Sequence, residues 1–159
     1  MTTVKRLRRL TVAAAILALA VVSGVSAQFA TFKRSSLTID TASGAHHFSI
    51  ELALSPEQQA QGLMFRRSLA ADAGMLFDFG AARPASFWMR NTLIPLDMVF
   101  IDAEGHIADI HERAVPLSED PIESKVPVRA VLEVNGGTVS RLGIKLGDVV
   151  HYAIFGNAE

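Results

Sequence analysis

The stretch His47-Phe48-Ser49-Ile50-Glu51-Leu52-Ala53-Leu54 decides the fold class. Phe48, Ile50, Leu52 and Leu54 fall at every second position, with Ser49, Glu51 and Ala53 between them. Side chains on a strand alternate between two faces, so this spacing predicts a half-buried β-strand. Thr41-Ala42-Ser43-Gly44, just upstream, is a turn signal, and residues 35–40 before it read as a first strand. Just downstream, Ser55-Pro56-Glu57-Gln58 has the order of a helix start. Ser55 serves as N-cap, Pro56 as the first helical residue and Gln58 as the capping-box partner. The helix is expected to run to Gln61 and end near Gly62, with residues 67–71 adding one further turn.

The same pattern of short strands and turns continues along the chain. Residues 75–79 read as a strand ended by Gly80, and residues 86–89 and 98–101 are apolar runs of strand length. Asp102-Ala103-Glu104-Gly105 is a hairpin turn leading into residues 106–111. Pro116, Pro121 and Pro127 punctuate the longest expected loop. Residues 129–134 form a strand, Asn135-Gly136-Gly137 a turn, and residues 138–142 a brief helix before a final strand at 149–155. The expected fold is mainly β, a β-sandwich or barrel-like arrangement of seven to eight short strands with one or two short helices.

With 159 residues, 50% hydrophobic and 19% charged, the chain has enough apolar matter for one core. Its lack of cysteine excludes a disulfide scaffold, thiol catalysis and a thiolate metal site. Residues 1–27 read as a signal peptide. Lys5, Arg6, Arg8 and Arg9 form a basic start, residues 10–22 an apolar run, and Ser23-Gly24-Val25-Ser26-Ala27 a small-residue cleavage site. The apolar run is shorter than the roughly 20 residues that span a bilayer. Cleavage is expected after Ala27, with an uncleaved anchor as the alternative. Residues 28–159 then form one compact domain, periplasmic or secreted, with no membrane attachment of its own. Without the four leading basic residues, 11 basic groups face 16 acidic ones. That balance argues against nucleic acid as a partner, because phosphate neutralisation needs Lys and Arg.

Several strings occur in a distinctive order. They are Glu51-Leu52-Ala53, Gly62-Leu63-Met64-Phe65-Arg66, Gly74-Met75-Leu76-Phe77, Phe87-Trp88-Met89-Arg90-Asn91-Thr92 and Ile94-Pro95-Leu96-Asp97. Phe100-Ile101-Asp102 and Val131-Leu132-Glu133 follow. In this order the chain resembles the domain-of-unknown-function 192 family, over roughly residues 37–150. The resemblance implies a compact, mainly β domain, often exported, and implies no established activity.

The residues themselves suggest one candidate site. Residues 88–97 combine the single Trp with Asn91, Thr92 and Asp97, the mixture of apolar wall and directional polar groups that suits a pocket. Trp88 would form a wall, Asn91 and Thr92 would hydrogen-bond a ligand, and Asp97 would accept a hydrogen bond or act as a base. Glu133 sits between Leu132 and Val134, so it is either solvent-facing or buried with a partner. Arg66, Arg90 and Arg129 are the candidate partners. Arg66, Asp97 and Glu133 would then converge on a polar ligand, with Arg66 clamping an anion.

The five histidines show no metal-ligand spacing, and Met64, Met75, Met89 and Met98 each neighbour Leu, Phe, Trp or Val, which suits core packing. No metal and no cofactor are predicted. Three functional readings follow. The first is an exported binding or accessory domain for a small molecule or protein partner, its pocket built from residues 88–97 and Arg66. The second is a hydrolase or lyase using Asp97 and Glu133 as an acid/base pair. The third is a structural or protein-interaction domain with the same residues in internal salt bridges.

Overall fold

A computed structural model describes residues 29–158, so the expected signal peptide lies outside the described residues. Strand β1 (Lys33–Thr41) turns into β2 (Gly44–Ala53), the strand that carries the deciding alternation. Helix α1 (Pro56–Gln61) follows, with Ser55 and Gln58 forming the full capping box. Next come β3 (Ala73–Arg83), β4 (Ser86–Phe87), β5 (Leu96–Ile101), β6 (Ile107–Ala114), β7 (Ile122–Glu123) and β8 (Val128–Asn135). Helix α2 (Thr138–Leu142), β9 (Val149–His151) and a 3-10 turn (Ala153–Phe155) complete the order.

Seven strands form one curled sheet in the order β6-β5-β8-β3-β2-β1-β9, and β4 pairs with β7 separately. Neighbours are antiparallel except β2 and β3, which run parallel. At the far end, His106 bridges Val149, so the start of β6 meets β9. The fold is therefore mainly β and closer to a barrel than to a sandwich.

A parallel pair cannot be joined by a tight hairpin. Residues 54–72 accordingly cross the outside of the sheet between β2 and β3, and a second layer forms there. One core cluster contains Leu37, Ile39, Phe48, Ile50, Leu76, Val99, Ile101, Leu132 and Val134, with Val139 and Ile144 packed at its end. A second contains Leu63, Met75, Phe77, Ala85, Met89, Met98, Phe100 and Val131. Strand β5 is buried at all six positions because both its faces are covered. That explains why residues 98–101 are a continuous apolar run rather than an alternation.

The structure departs from expectation at several boundaries. Residues 67–71 form no helical turn. Asn135 Nδ2 donates to the carbonyls of Leu69 (3.1 Å) and Ala70 (2.9 Å), satisfying them in an open loop. β3 continues past Gly80, which takes φ +76° within an irregular stretch between Asp78 and Arg83. The strand expected at residues 86–89 is only Ser86–Phe87, and its unexpected partner β7, inside the long loop, brings the described strands to nine. The last strand stops at His151, because Asn157 Oδ1 accepts from Tyr152 N (3.1 Å) while its Nδ2 donates to Val150 O (3.0 Å).

Gly74 marks a close approach of β3 to β8. A Cβ there would lie 2.7 Å from the Glu133 carbonyl oxygen, a backbone atom that cannot swing away. Gly74→Ala is expected to destabilise the protein by roughly 1–3 kcal/mol, read from urea denaturation midpoints.

Candidate functional site

The crossover that the parallel pair requires also builds a cavity of about 390 Å³ on the outer face of the sheet. Gln59–Met64 supply one wall, Phe77 and Phe79 the floor from β3, and Ser86, Phe87 and Trp88 the opposite wall. Arg83, Thr92, Glu119 and Pro121 contribute to its lining, and Glu133 opens into it from β8. Gly62 takes φ +48°, and a Cβ there would meet Phe77 Cζ at 3.2 Å, so the crossover can lie directly on that ring. Phe87 stands edge-on to Phe77 (5.0 Å between centroids, 87°) and to Phe100 (6.3 Å, 84°), a favourable geometry for ring quadrupoles.

The loops around the cavity are laced by main-chain bonds. Phe65 N donates to Asn91 O (2.8 Å), Leu117 N to Thr92 O (3.1 Å) and Met89 N to Ser118 O (2.9 Å). Phe65, Asn91 and Leu117 all adopt positive φ (63°, 56° and 64°), and residues with a Cβ resist that region. Such strain persists only where the surroundings over-determine it. Trp88 in the lining is an exposed apolar side chain, as are Phe65, Leu93, Val115 and Leu117 on the loops so laced together.

Glu133 is 4% exposed. Its register neighbours are Met75 on β3 and Met98 on β5, neither of which donates a hydrogen bond. Among the described residues its carboxyl has no hydrogen-bond or ion-pair partner. Burial alone pushes its pKa up to about 8, so the carboxyl is mainly neutral at physiological pH. The three arginines expected to partner it are engaged elsewhere. Arg66 pairs with Glu51 and lies over the Phe32 ring (5.8 Å). Arg90 reaches Glu119 (3.8 Å) and Trp88 (5.5 Å), and Arg129 pairs with Asp78.

Asp97 has a different role from the one expected. It is fully buried, and its Oδ1 accepts from Arg113 N (2.8 Å) and Gly137 N (2.9 Å) while Oδ2 accepts from Val139 N (2.8 Å). It thereby caps α2 from another strand, where Gly137 has no side chain to do so. Asp97 pairs with Val134 and Met98 with Glu133, so Asp97 and Glu133 lie on opposite faces of the sheet. They cannot act as an acid/base pair, and Arg66, Asp97 and Glu133 do not converge.

Of the six residues expected at the site, Trp88, Thr92 and Glu133 line the cavity. Arg66, Asn91 and Asp97 do not. Asn91 is held at the rim, where its Nδ2 lies 3.9 Å from Met64 Sδ. The sequence reading passed over Phe77, Phe79, Arg83 and the end of α1. The signal for that wall was present in the capping box followed by Gly62 and Met64. Among the described residues no group of three or more His, Asp or Glu is placed to hold a metal. No described helix is long and apolar enough to cross a membrane.

The fold and the cavity together define a small curled-sheet domain with an aromatic-walled pocket over one buried carboxyl. The chain belongs to the DUF192 family, described as "Uncharacterized ACR, COG1430", whose model matches residues 38–152. Two crystal structures are similar. One, from Sinorhizobium meliloti and given the provisional description of a transcription regulator, is 51% identical with a TM-score of 0.76, covering 79% of this chain and 98% of that one. The other, a protein of unknown function from Novosphingobium aromaticivorans, is 44% identical with a TM-score of 0.73, covering 75% of this chain and 85% of that one. No curated protein matches the chain.

Two variants separate the carboxyls. Asp97→Ala strands three main-chain N–H groups, that of Val139 buried, and should cost on the order of 3 kcal/mol of stability, measured by chemical denaturation. Glu133 binds a proton more tightly folded than unfolded, so wild-type stability should fall as pH rises from 4.5 to about 8. Glu133→Gln should remove that slope and melt higher than wild type in mildly alkaline buffer.

Proposed function

We propose that the protein is a binding domain for a small molecule with an apolar body and one polar end. The observation that carries this reading is Glu133, a buried carboxyl without a partner, opening into an aromatic-walled cavity of about 390 Å³. An unpaired buried polar group costs stability, and a ligand that completes its hydrogen bonds recovers that cost. The cavity size and its mostly apolar lining match those of small-molecule sites. The exposed apolar rim gives a ligand a place to land before it enters.

The same reading places the domain outside the cytoplasm, on the strength of the basic, apolar and small-residue segments at 1–27. It also sets nucleic acid aside. The S. meliloti relative's regulatory description sits poorly with 11 basic against 16 acidic groups beyond residue 27.

Ser86 lies on the exposed edge of the cavity and tolerates a larger side chain without disturbing the core. Ser86→Trp should fill the entrance. In a fragment screen by heteronuclear NMR, hits on the wild type should shift the amides of Phe77, Phe87, Thr92 and Glu133. Those shifts should vanish in Ser86→Trp. Hits that map elsewhere, or persist in the filled variant, would reject the cavity as the binding site.

A further inference from the structure

We propose that the cavity selects an organic ammonium ion, its charged end on the Glu133 carboxyl and its carbon body against Phe77, Phe87 and Trp88. The inference rests on the binding reading above and names the ligand's chemistry.

Glu133 accepts no hydrogen bond from any described residue, so what its carboxylate form lacks is donors. An ammonium group supplies up to three donors and no competing acceptor. The flanking aromatic rings favour the same charge, because a ring face is negative. The chain itself shows this preference. Arg83 Cζ lies 4.0 Å from the Phe79 centroid and Arg90 Cζ 5.5 Å from that of Trp88, so two of the cavity's aromatics already hold a cation.

The other charged groups do not neutralise Glu133. β3 contributes Arg83 and the loop before β7 contributes Glu119; the crossover, the segment around β4 and the flanking strand β5 present only neutral side chains to the cavity. Arg83 pairs in register with Val128, five positions along β8 from Glu133. At roughly 3.4 Å per residue, that places the two backbone positions about 17 Å apart. Glu119 adds negative charge at the mouth, where it also faces Arg90 at 3.8 Å. With Glu133 ionised, the lining carries two carboxylates and one guanidinium.

Binding therefore moves a proton. The free Glu133 carboxyl is neutral, and the arriving ammonium keeps its three hydrogens. The carboxyl releases its proton to the buffer and the two groups remain as an ion pair.

Three probes sharing a phenyl ring and a short chain test this: phenethylamine, phenethyl alcohol and phenylacetate, titrated calorimetrically into wild type and Glu133→Gln. The amine should bind about tenfold or more tighter than the alcohol, with phenylacetate weakest. Glu133→Gln should lose that advantage, the amine then binding no tighter than the alcohol. In buffers of different ionisation enthalpy, the amine should release close to one proton at neutral pH. Its affinity should rise with pH until Glu133 is ionised in the free protein, near 8. If Glu133→Gln does not fold, the wild-type proton release and pH profile decide alone. Alcohol binding as tight as the amine, with no proton released, would overturn the ammonium assignment while leaving the cavity as a binding site. Absence of binding by all three probes would overturn it too. Hits in the fragment screen that Ser86→Trp abolishes would then still support the cavity.

Discussion

The parallel pairing of β2 with β3 is the constraint on which the rest of the molecule depends. Two parallel neighbours oblige the chain to travel the length of the sheet between them. Residues 54–72 make that journey over the outer face. Once a layer lies there, the middle of the sheet is covered on both sides, and residues 98–101 of β5, 130–132 of β8 and 75–77 of β3 are apolar without alternation. The cavity is the part of that layer not filled by side chains. Its walls are the crossover itself, β3 beneath it, and β4 with the loop before β7 that flanks it.

Against this background the interior carboxylates divide into two kinds. Asp97, Asp78, Asp109 and Glu51 all have partners. Asp97 holds three main-chain N–H groups, Asp78 takes Arg129, Asp109 takes Lys125 Nζ at 2.7 Å, and Glu51 takes Arg66. Each ties together segments distant in sequence, as a buried polar group must if it is not to cost stability. Asp109 anchors the segment between β7 and β8 through Lys125, and its hydrogen bonds outweigh its burial and hold its carboxyl below the usual range. Glu133 ties nothing together. Its carboxyl packs between Met75 and Met98 without a polar partner among the described residues, which sets it apart from the other four.

The sequence was most informative where local physics decides. The alternation at residues 47–54, the Ser55-Pro56-Glu57-Gln58 cap and the Asn135-Gly136-Gly137 turn all specify structure from neighbouring residues alone. The cap and the turn recur where expected, and the alternation holds from Phe48 to Leu52, whereas Ala53 is buried and Leu54, past the end of β2, is exposed. The parallel pairing was not legible, because nothing in β2 or β3 encodes direction. β7 was not legible either, since two residues are too few to show a period. At the site, the odd position of Glu133 in an apolar strand was visible, but its lack of a partner depends on where three distant arginines go. Asp97 and Glu133 look equivalent on paper. The one-residue offset in the register of β5 against β8 puts them on opposite faces. Register is a tertiary property, and no short window of sequence contains it.

The seam that closes the sheet is narrow. Ile107 N to Asp148 O, Gly147 N to Ile107 O and Val150 N to Gly105 O hold β6 to the segment around β9 at one end only. β9 covers just residues 38–40 of β1. The rest of that edge begins with Lys33 and Arg34, and the far half of β6 carries exposed His111, Glu112 and Arg113. Charged side chains along an unpaired strand discourage another molecule from docking its own strand there. The incomplete seam and the charges beside it therefore act as one device. The fold leaves part of its edges open and lines them with charge, so a sheet that stops short of a fully closed barrel offers little to a strand from another chain.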